Sequence, residues 1–350
     1  MKTSFAFLAA MLLLFALIFG CASQQDGAAP TIKEKTRQPS RQQDTDFGQG
    51  YAPGPGLNAT KGDNDSGGLA EEPQDPFAGI VPRNVSDKIN EGQFRLEDQT
   101  SKPLRISVID AGNADAVLVR KGEFAMLLDA GNFERVNAYL RANEIGRLDI
   151  LVATRDAPDA IAGMEGILGS YEVGEIWING VPAVSNDYKE VLKKAEERGI
   201  AVKRPEAKDR LYLFGMGVDV LNPQKLRLKG SPESDAIVLK VSSGDFCMLL
   251  LNPTVTEIES SLMNAIADVR CPMVSYFMHG EGRPTPSVLV DRANPKDVVI
   301  SVGENDRGLP SETTITRLKI AGKNVWRTDL QGTIEITKEN DEDYRISSEK

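Results

Sequence analysis

Residues 115–129, DAVLVRKGEFAMLLD, have a counterpart 120 residues later in DAIVLKVSSGDFCMLLLN, residues 235–252. Each copy holds an Asp-Ala start, an apolar run, a turn with Gly, an acid and Phe, and a Met-Leu-Leu run. Short apolar runs joined by a glycine turn read as the two strands of a hairpin. A helix is expected behind each copy, over Asn132–Gly146 and over Thr254–Asp268. Two related β-rich halves, each with an apolar face to bury, predict two packed sheets covered by helices. That is a four-layer αββα sandwich of the α/β class.

The remaining runs fit this plan. LRISVID (Leu104–Asp110) opens it, and LDILVA (Leu148–Ala153) is a buried strand. A short helix over Ala162–Tyr171, a strand over Glu175–Gly180 and a helix over Ser185–Gly199 follow. Later come a strand over Met273–Met278, a helix in SVLVDRA, a strand over Asp297–Gly303 and a helix over Ser311–Gly322. KNVWRTD and GTIEITK read as a closing pair of strands. In the first helix Val136, Leu140 and Ile145 lie near one face, with Asn132 or Gly131 before it and Gly146 after it. The globular unit is expected at residues 101–338, with residues 339–350 as a polar tail.

The N-terminus speaks about place. Lys2 precedes the apolar run Phe5–Phe19, which is short for a spanning helix and closes on Gly20-Cys21. LIFGC resembles the lipobox of bacterial-type lipoproteins, so residues 1–20 are expected to be a signal peptide and Cys21 the lipidated residue. The chain is then extracytoplasmic and held to the membrane through Cys21. Residues 21–100 are polar and almost aperiodic and read as a tether, with weak order around Lys88–Gln99. Of the three cysteines, Cys247 and Cys271 read as small core hydrophobes, with a disulfide as the alternative. A net charge of −10 argues against nucleic acid as a partner, since phosphate-backbone affinity needs Lys and Arg. The basic run Lys193–Arg204 alternates with acids and reads as a solvated helix face.

SVIDAGNADAVLVRKGEFAMLLDAG, followed by LRANEIGRLDILVATRDAPDAIAGMEGIL, resembles the metallo-β-lactamase superfamily. Within it the likeness is closest to the extracytoplasmic C-terminal domain of ComEC-type competence (DNA-uptake) proteins. VVISVGENDRGLPSETTITRLKIAGKNVWRTDLQGTIEI resembles that subfamily's closing segment. The resemblance implies a metallo-β-lactamase-like αββα fold. It also implies a strand-end motif Thr-His-x-His-x-Asp-His holding two zinc ions that activate water for hydrolysis. Here Thr154 and Asp159 match, but Arg155, Ala157 and Ala160 stand at the three His positions, with Asp156 between. Pro253 stands at the bridging Asp position, Met278 and His279 at a later His pair, and Leu309 at the late His before proline. Such a centre uses about five histidines, and this chain has one. The two-zinc site is therefore expected to be lost, with no cofactor and no catalytic residue assigned.

Asp110, Asp129, Asp156 and Asp159 form a candidate acidic pocket for Mg²⁺ or Ca²⁺. The plainer reading has Asp110 and Asp129 capping turns and Asp159 pairing with Arg155. His279 reads as an ordinary loop residue, with a remnant ligand or general base as the alternative. No Gly-x-Ser-x-Gly elbow, Walker loop or dinucleotide fingerprint appears. The expected function is binding by a degenerate, metal-free domain, with Arg155 meeting an anionic small molecule or a partner protein's acidic segment. The alternatives are a hydrolase or nuclease with a non-zinc site, and a folded spacer at the end of a tether.

Overall fold

The computed structural model describes residues 96–182, 184–224, 234–251, 262, 269–276, 279, 286–340 and 342–350. All belong to one compact unit of the chain, Gly68–Lys350. The expected signal peptide, Cys21, most of the tether, Pro253, Met278 and all of the Thr254–Asp268 helix but Leu262 lie outside the described residues.

The first half contains α1 (Leu96–Ser101), β1 (Leu104–Val108), β2 (Val117–Lys121), β3 (Phe124–Leu128), α2 (Phe133–Ala142) and β4 (Arg147–Ala153). It continues with α3 (Pro158–Ile161), α4 (Met164–Ser170), β5 (Glu172–Ile178), α5 (Asn186–Glu197) and β6 (Ala201–Lys203). The second contains β7 (Arg210–Leu213), β8 (Met216–Asn222), β9 (Val238–Ser243), β10 (Phe246–Leu251), β11 (Met273–Tyr276) and α6 (Pro286–Ala293). It ends with β12 (Asp297–Ile300), α7 (Glu312–Ile320), β13 (Asn324–Arg327), α8 (Thr328–Gln331), β14 (Ile334–Lys338) and β15 (Arg345–Ser348).

The strands form two sheets, ordered β15-β14-β1-β2-β3-β4-β5-β6 and β13-β12-β11-β10-β9-β8-β7. The repeated sequence becomes repeated topology. β2–β3 and β9–β10 are antiparallel hairpins closing on Lys121↔Phe124 and Ser243↔Phe246. Each turns at a glycine with φ of 58°, Gly122 and Gly244, a conformation that L side chains rarely adopt. Beyond each hairpin three parallel strands follow, β4-β5-β6 and β11-β12-β13. Before each lies one antiparallel neighbour, β1 or β8.

Strand alternation divides the apolar side chains among three layers. Val117, Val119, Met126 and Trp177 from the first sheet meet Val218, Leu239, Val241 and Met248 from the second in the central layer. Leu118, Leu127 and Leu151 pack outward against α2, α4 and α5 through Val136, Leu140, Ile167, Tyr188 and Val191. Leu249, Val274, Val298 and Ile300 do the same with Val290 of α6 and Leu318 of α7. The fold is a four-layer αββα sandwich. Asn132, Ser185 and Ser311 cap α2, α5 and α7, each side chain accepting from a backbone N–H three residues on.

Four expectations are corrected. The domain begins before residue 101: in α1, Gln99 is buried and its Oε1 accepts from Glu123 N at 2.9 Å. Residues 339–350 are not a tail: β15 pairs with β14, and the Tyr344 ring lies 5.2 Å from that of Phe246. The short polar run was misleading because one face of an edge strand is solvated. KNVWRTD and GTIEITK do not pair together, since β13 ends the second sheet and β14 joins the first. Cys247 and Cys271 are a disulfide, with Cα atoms 5.1 Å apart. Strands β6–β8 had no counterpart in the sequence reading.

Candidate ligand site at the strand ends

β3 and β4 are parallel neighbours, so their C-terminal ends lie side by side. Asp129, just past β3, has φ of 59°, the left-handed region that Asp tolerates better than most residues. This turn aims its carboxyl at the end of β4. Thr154 N donates to Oδ1 at 2.9 Å, and Oδ2 shares a 2.6 Å hydrogen bond with Thr154 Oγ1. Burial pushes this carboxyl up to about 8, against the lowering effects of Arg155 and Thr154.

Arg155 follows Thr154 and is buried at 4% exposure. Its Nη2 lies 2.5 Å from Asp159 Oδ2 and 3.5 Å from Asp115 Oδ2. Asp159 reaches it from the first turn of α3, begun by Pro158. The backbone holds the three segments in register: Asp115 N donates to Asp159 O at 2.7 Å, and Ala130 N to Ala160 O at 2.7 Å. Gly131 makes this approach feasible, for a Cβ there would lie 1.9 Å from Asp159 O. His279 arrives from the second half, beyond β11. Its Nδ1 lies 3.0 Å from Ser301 O and must donate to it, which leaves Nε2 3.5 Å from Asp159 Oδ2. A neutral ring in that tautomer would face a carboxylate with a lone pair, so the geometry favours the imidazolium.

Electrostatics complete the arrangement. Burial raises Asp115 to about 6, with Arg155 and His279 opposing it. Burial also pulls Arg155 and His279 down, but the acids overcome it, and both are held above their ordinary values. For Asp159, burial pushes up but the His279 hydrogen bond and Arg155 prevail, so it is held low. The Arg155 cation and the imidazolium form of His279 face the carboxylates of Asp115 and Asp159, with Asp129 protonated at neutral pH. The cluster carries its own counter-charges.

These residues do not fit the two-zinc group that the resemblance implies. Asp115, Asp159 and His279 bring three donor atoms within 4.8 Å of one another. The Arg155 guanidinium, which remains charged, already contacts the oxygens of both acids, however. Ala160 is buried in the outer apolar layer, and neither it nor Ala157 has a donor to offer.

A pocket of about 360 Å³ opens beside the cluster, lined by Asn113, Pro158, Asp159, His279, Asp306 and Arg307 together with Asn305 and Leu309. Asn305 is committed to the loop: its side chain bonds Gly303 O, Leu309 O, Arg307 N and Leu309 N. Leu309 presents the pocket with an apolar wall.

The four acids named from the sequence serve different partners. Asp110 accepts from Arg135 Nη1 at 2.9 Å and from Gly112 N at 3.2 Å. Asp156 accepts from Val184 N at 2.9 Å and Ser185 N at 3.0 Å, tying the loop to the start of α5. Only Asp129 and Asp159 stand near Arg155, and Asp115 completes the set. Sequence reading missed Asp115 because an Asp before a hairpin looks like a turn residue. His279 is likewise no ordinary loop residue but a buried member of the cluster. Arg155 offers no open charge to an anion.

No family model matches the chain. ComE operon protein 3 of Bacillus subtilis (strain 168) is 28% identical over 204 residues, which cover 58% of this chain and 26% of that protein. The chain thus spans about a quarter of the relative's length. Among solved structures, the metallo-β-lactamase fold protein YhfI of Bacillus subtilis has a TM-score of 0.47 at 10% identity, over 68% of this chain and 100% of that one. Tm1679, a metal-dependent hydrolase of the β-lactamase superfamily, gives 0.47 at 13% identity, over 67% and 100%. Human tRNase Z, short form, gives 0.39 at 13%, over 58% and 93%. The chain is thus similar in sequence to part of ComE operon protein 3.

Proposed function

We propose that the protein is a membrane-anchored extracytoplasmic lipoprotein whose domain acts by binding and has lost zinc hydrolysis. The observation that carries this reading is the Arg155 guanidinium between Asp159 and Asp115. It supplies, as part of the chain, the positive charge that a metal site would take from solution. The ligand sits in the pocket beside it. An anionic small molecule, or an acidic segment of a partner protein, would meet Arg307 and the His279 imidazolium there. Nucleic acid is not favoured on an acidic chain. The Cys247–Cys271 disulfide supports an oxidising location. Attachment through lipid on Cys21 rests on the LIFGC sequence.

The test is hydrolysis of generic phosphodiesters and esters by the full chain with zinc supplied. No turnover beyond that of Asp159→Ala supports the reading; turnover that Asp159→Ala abolishes overturns it. Cys21→Ala is expected to move the protein from the membrane fraction to the soluble one. A second reading, a hydrolase or nuclease with a non-zinc ion, draws on the gathering of Asp115, Asp159 and His279. It requires Arg155 to leave, and the same assay with Mg²⁺ or Mn²⁺ separates the two.

A further inference from the structure

At the opposite end of β1 and β2 from the strand-end cluster, the outer face of the first sheet gathers positive charge. Ile106 and Val119 face the central layer, so by alternation Arg105 and Arg120 point outward, and they are direct cross-strand partners. Directly opposed side chains have Cβ atoms about 5 Å apart, and like charges there repel. Lys102 adds a third cation. One carboxylate answers them within the sheet: Glu335 Oε2 lies 3.5 Å from Arg120 Nη2, and it is shared with Ser107 and Thr337, whose hydroxyls donate at 3.4 Å. Arg120 Nε and Nη2 are buried and find no hydrogen-bond partner among the described residues. A pocket of about 190 Å³ lies against these groups, lined by Lys102, Pro103, Arg105, Arg120, Gly122 and Glu123.

We infer that this pocket binds a phosphate group. The two guanidinium forks supply the planar, multi-donor recognition that suits phosphate oxygens, and Lys102 adds a compact charge. A phosphate there offsets the Arg105–Arg120 repulsion. Glu123 at the edge and Glu335 below leave room for one anion's worth of excess positive charge in a chain of net charge −10. The phosphate belongs either to a free phosphorylated small molecule or to a phospholipid headgroup. Lys102 directly follows α1, whose Gln99 accepts from Glu123 N at the pocket's rim.

The test is calorimetric titration of the full chain with inorganic phosphate, pyrophosphate and a short-chain, water-soluble phosphatidylglycerol. Arg105→Gln and Arg120→Gln are each expected to weaken binding at least about tenfold. Arg105 is exposed, so its variant leaves the fold intact. Arg141→Gln, an exposed arginine on α2, should leave affinity unchanged and controls for net charge. Binding of phosphate or pyrophosphate that is lost in the two variants supports the site with a free phosphorylated ligand. The same loss with the soluble lipid alone supports a headgroup. No binding of any probe, or binding that Arg105→Gln and Arg120→Gln leave intact, overturns it.

Discussion

The two halves of this molecule repeat one unit, a hairpin followed by parallel strands, and secure it by different chemistry. In the first half the segments around β3 and β4 are held by buried charge: Arg155 against Asp159 and Asp115, with Asp129 bonded to Thr154. In the second, Cys247 of β10 is joined covalently to Cys271, just before β11. The halves also meet at this place, where Ile237 N donates to Thr154 O at 2.9 Å and Ser301 Oγ to Ala114 O at 3.2 Å. The difference teaches that one strand scaffold can be secured by buried ion pairs or by a covalent link. Where carboxylates are buried together, a buried arginine neutralises them at every physiological pH. In the second half the neighbouring strands are joined by a covalent link, which depends on the compartment's redox state rather than its pH.

The sharpest way to break the first half is Arg155→Met. It strands Asp115, fully buried, opposite Asp159 and should cost about 3–5 kcal/mol in chemical denaturation. A cost under about 1 kcal/mol would mean that the ion pairs do little. The second half is broken by Cys247→Ala with Cys271→Ala. The link closes a separation of 24 residues, and its loss should cost about 3 kcal/mol. Reduction with dithiothreitol should reproduce the loss in wild type and leave Arg155→Met no less charge-sensitive.

pH sharpens the comparison further, because it should act on the charged strand-end cluster and not on the disulfide. Asp129 is raised from 3.8 to about 8 and Asp115 to about 6, so between these values the folded chain holds protons that the unfolded chain releases. Their contribution to stability is greatest below about pH 3.8 and declines as pH rises from there, until about 6 for Asp115 and about 8 for Asp129, by up to about 1.4 kcal/mol per pH unit for each group. His279, held above its ordinary 6.5, adds loss of the same sign as pH rises through its folded value. Asp159, held low, acts oppositely and loses its contribution only as pH falls through its folded value, below 3.8. Asp129→Asn should flatten the decline up to pH 8, as read from denaturation midpoints; an unchanged slope would assign the decline elsewhere. The double cysteine variant should keep the wild-type slope. The smallest effect expected is that of Asp156→Ala, which removes acceptors from Val184 N and Ser185 N and should cost about 1 kcal/mol.

Much of the fold was legible in the sequence because it is written in local pattern. Glycine turns, β-branched runs and capping residues such as Asn132, Ser185 and Ser311 act over a few residues, and the hairpin repeat revealed the layer plan. What stayed hidden is long-range. β15 is too polar to announce itself, and its place depends on pairing with β14. Cys247 and Cys271 read as core residues because burial and disulfide formation favour the same flanking sequence. The strand-end loop was legible as a site by its likeness to a ligand motif, and Arg155 stood out within it. Asp115 and His279 did not, because their roles arise only where segments 40 and more residues from Arg155 converge.

The most direct test of the account is the metal content of the full chain, purified without chelators and dialysed against zinc. The account predicts well under one zinc per chain, since Arg155 occupies the carboxylates. Zinc near two per chain, lost on Asp159→Ala, would contradict it.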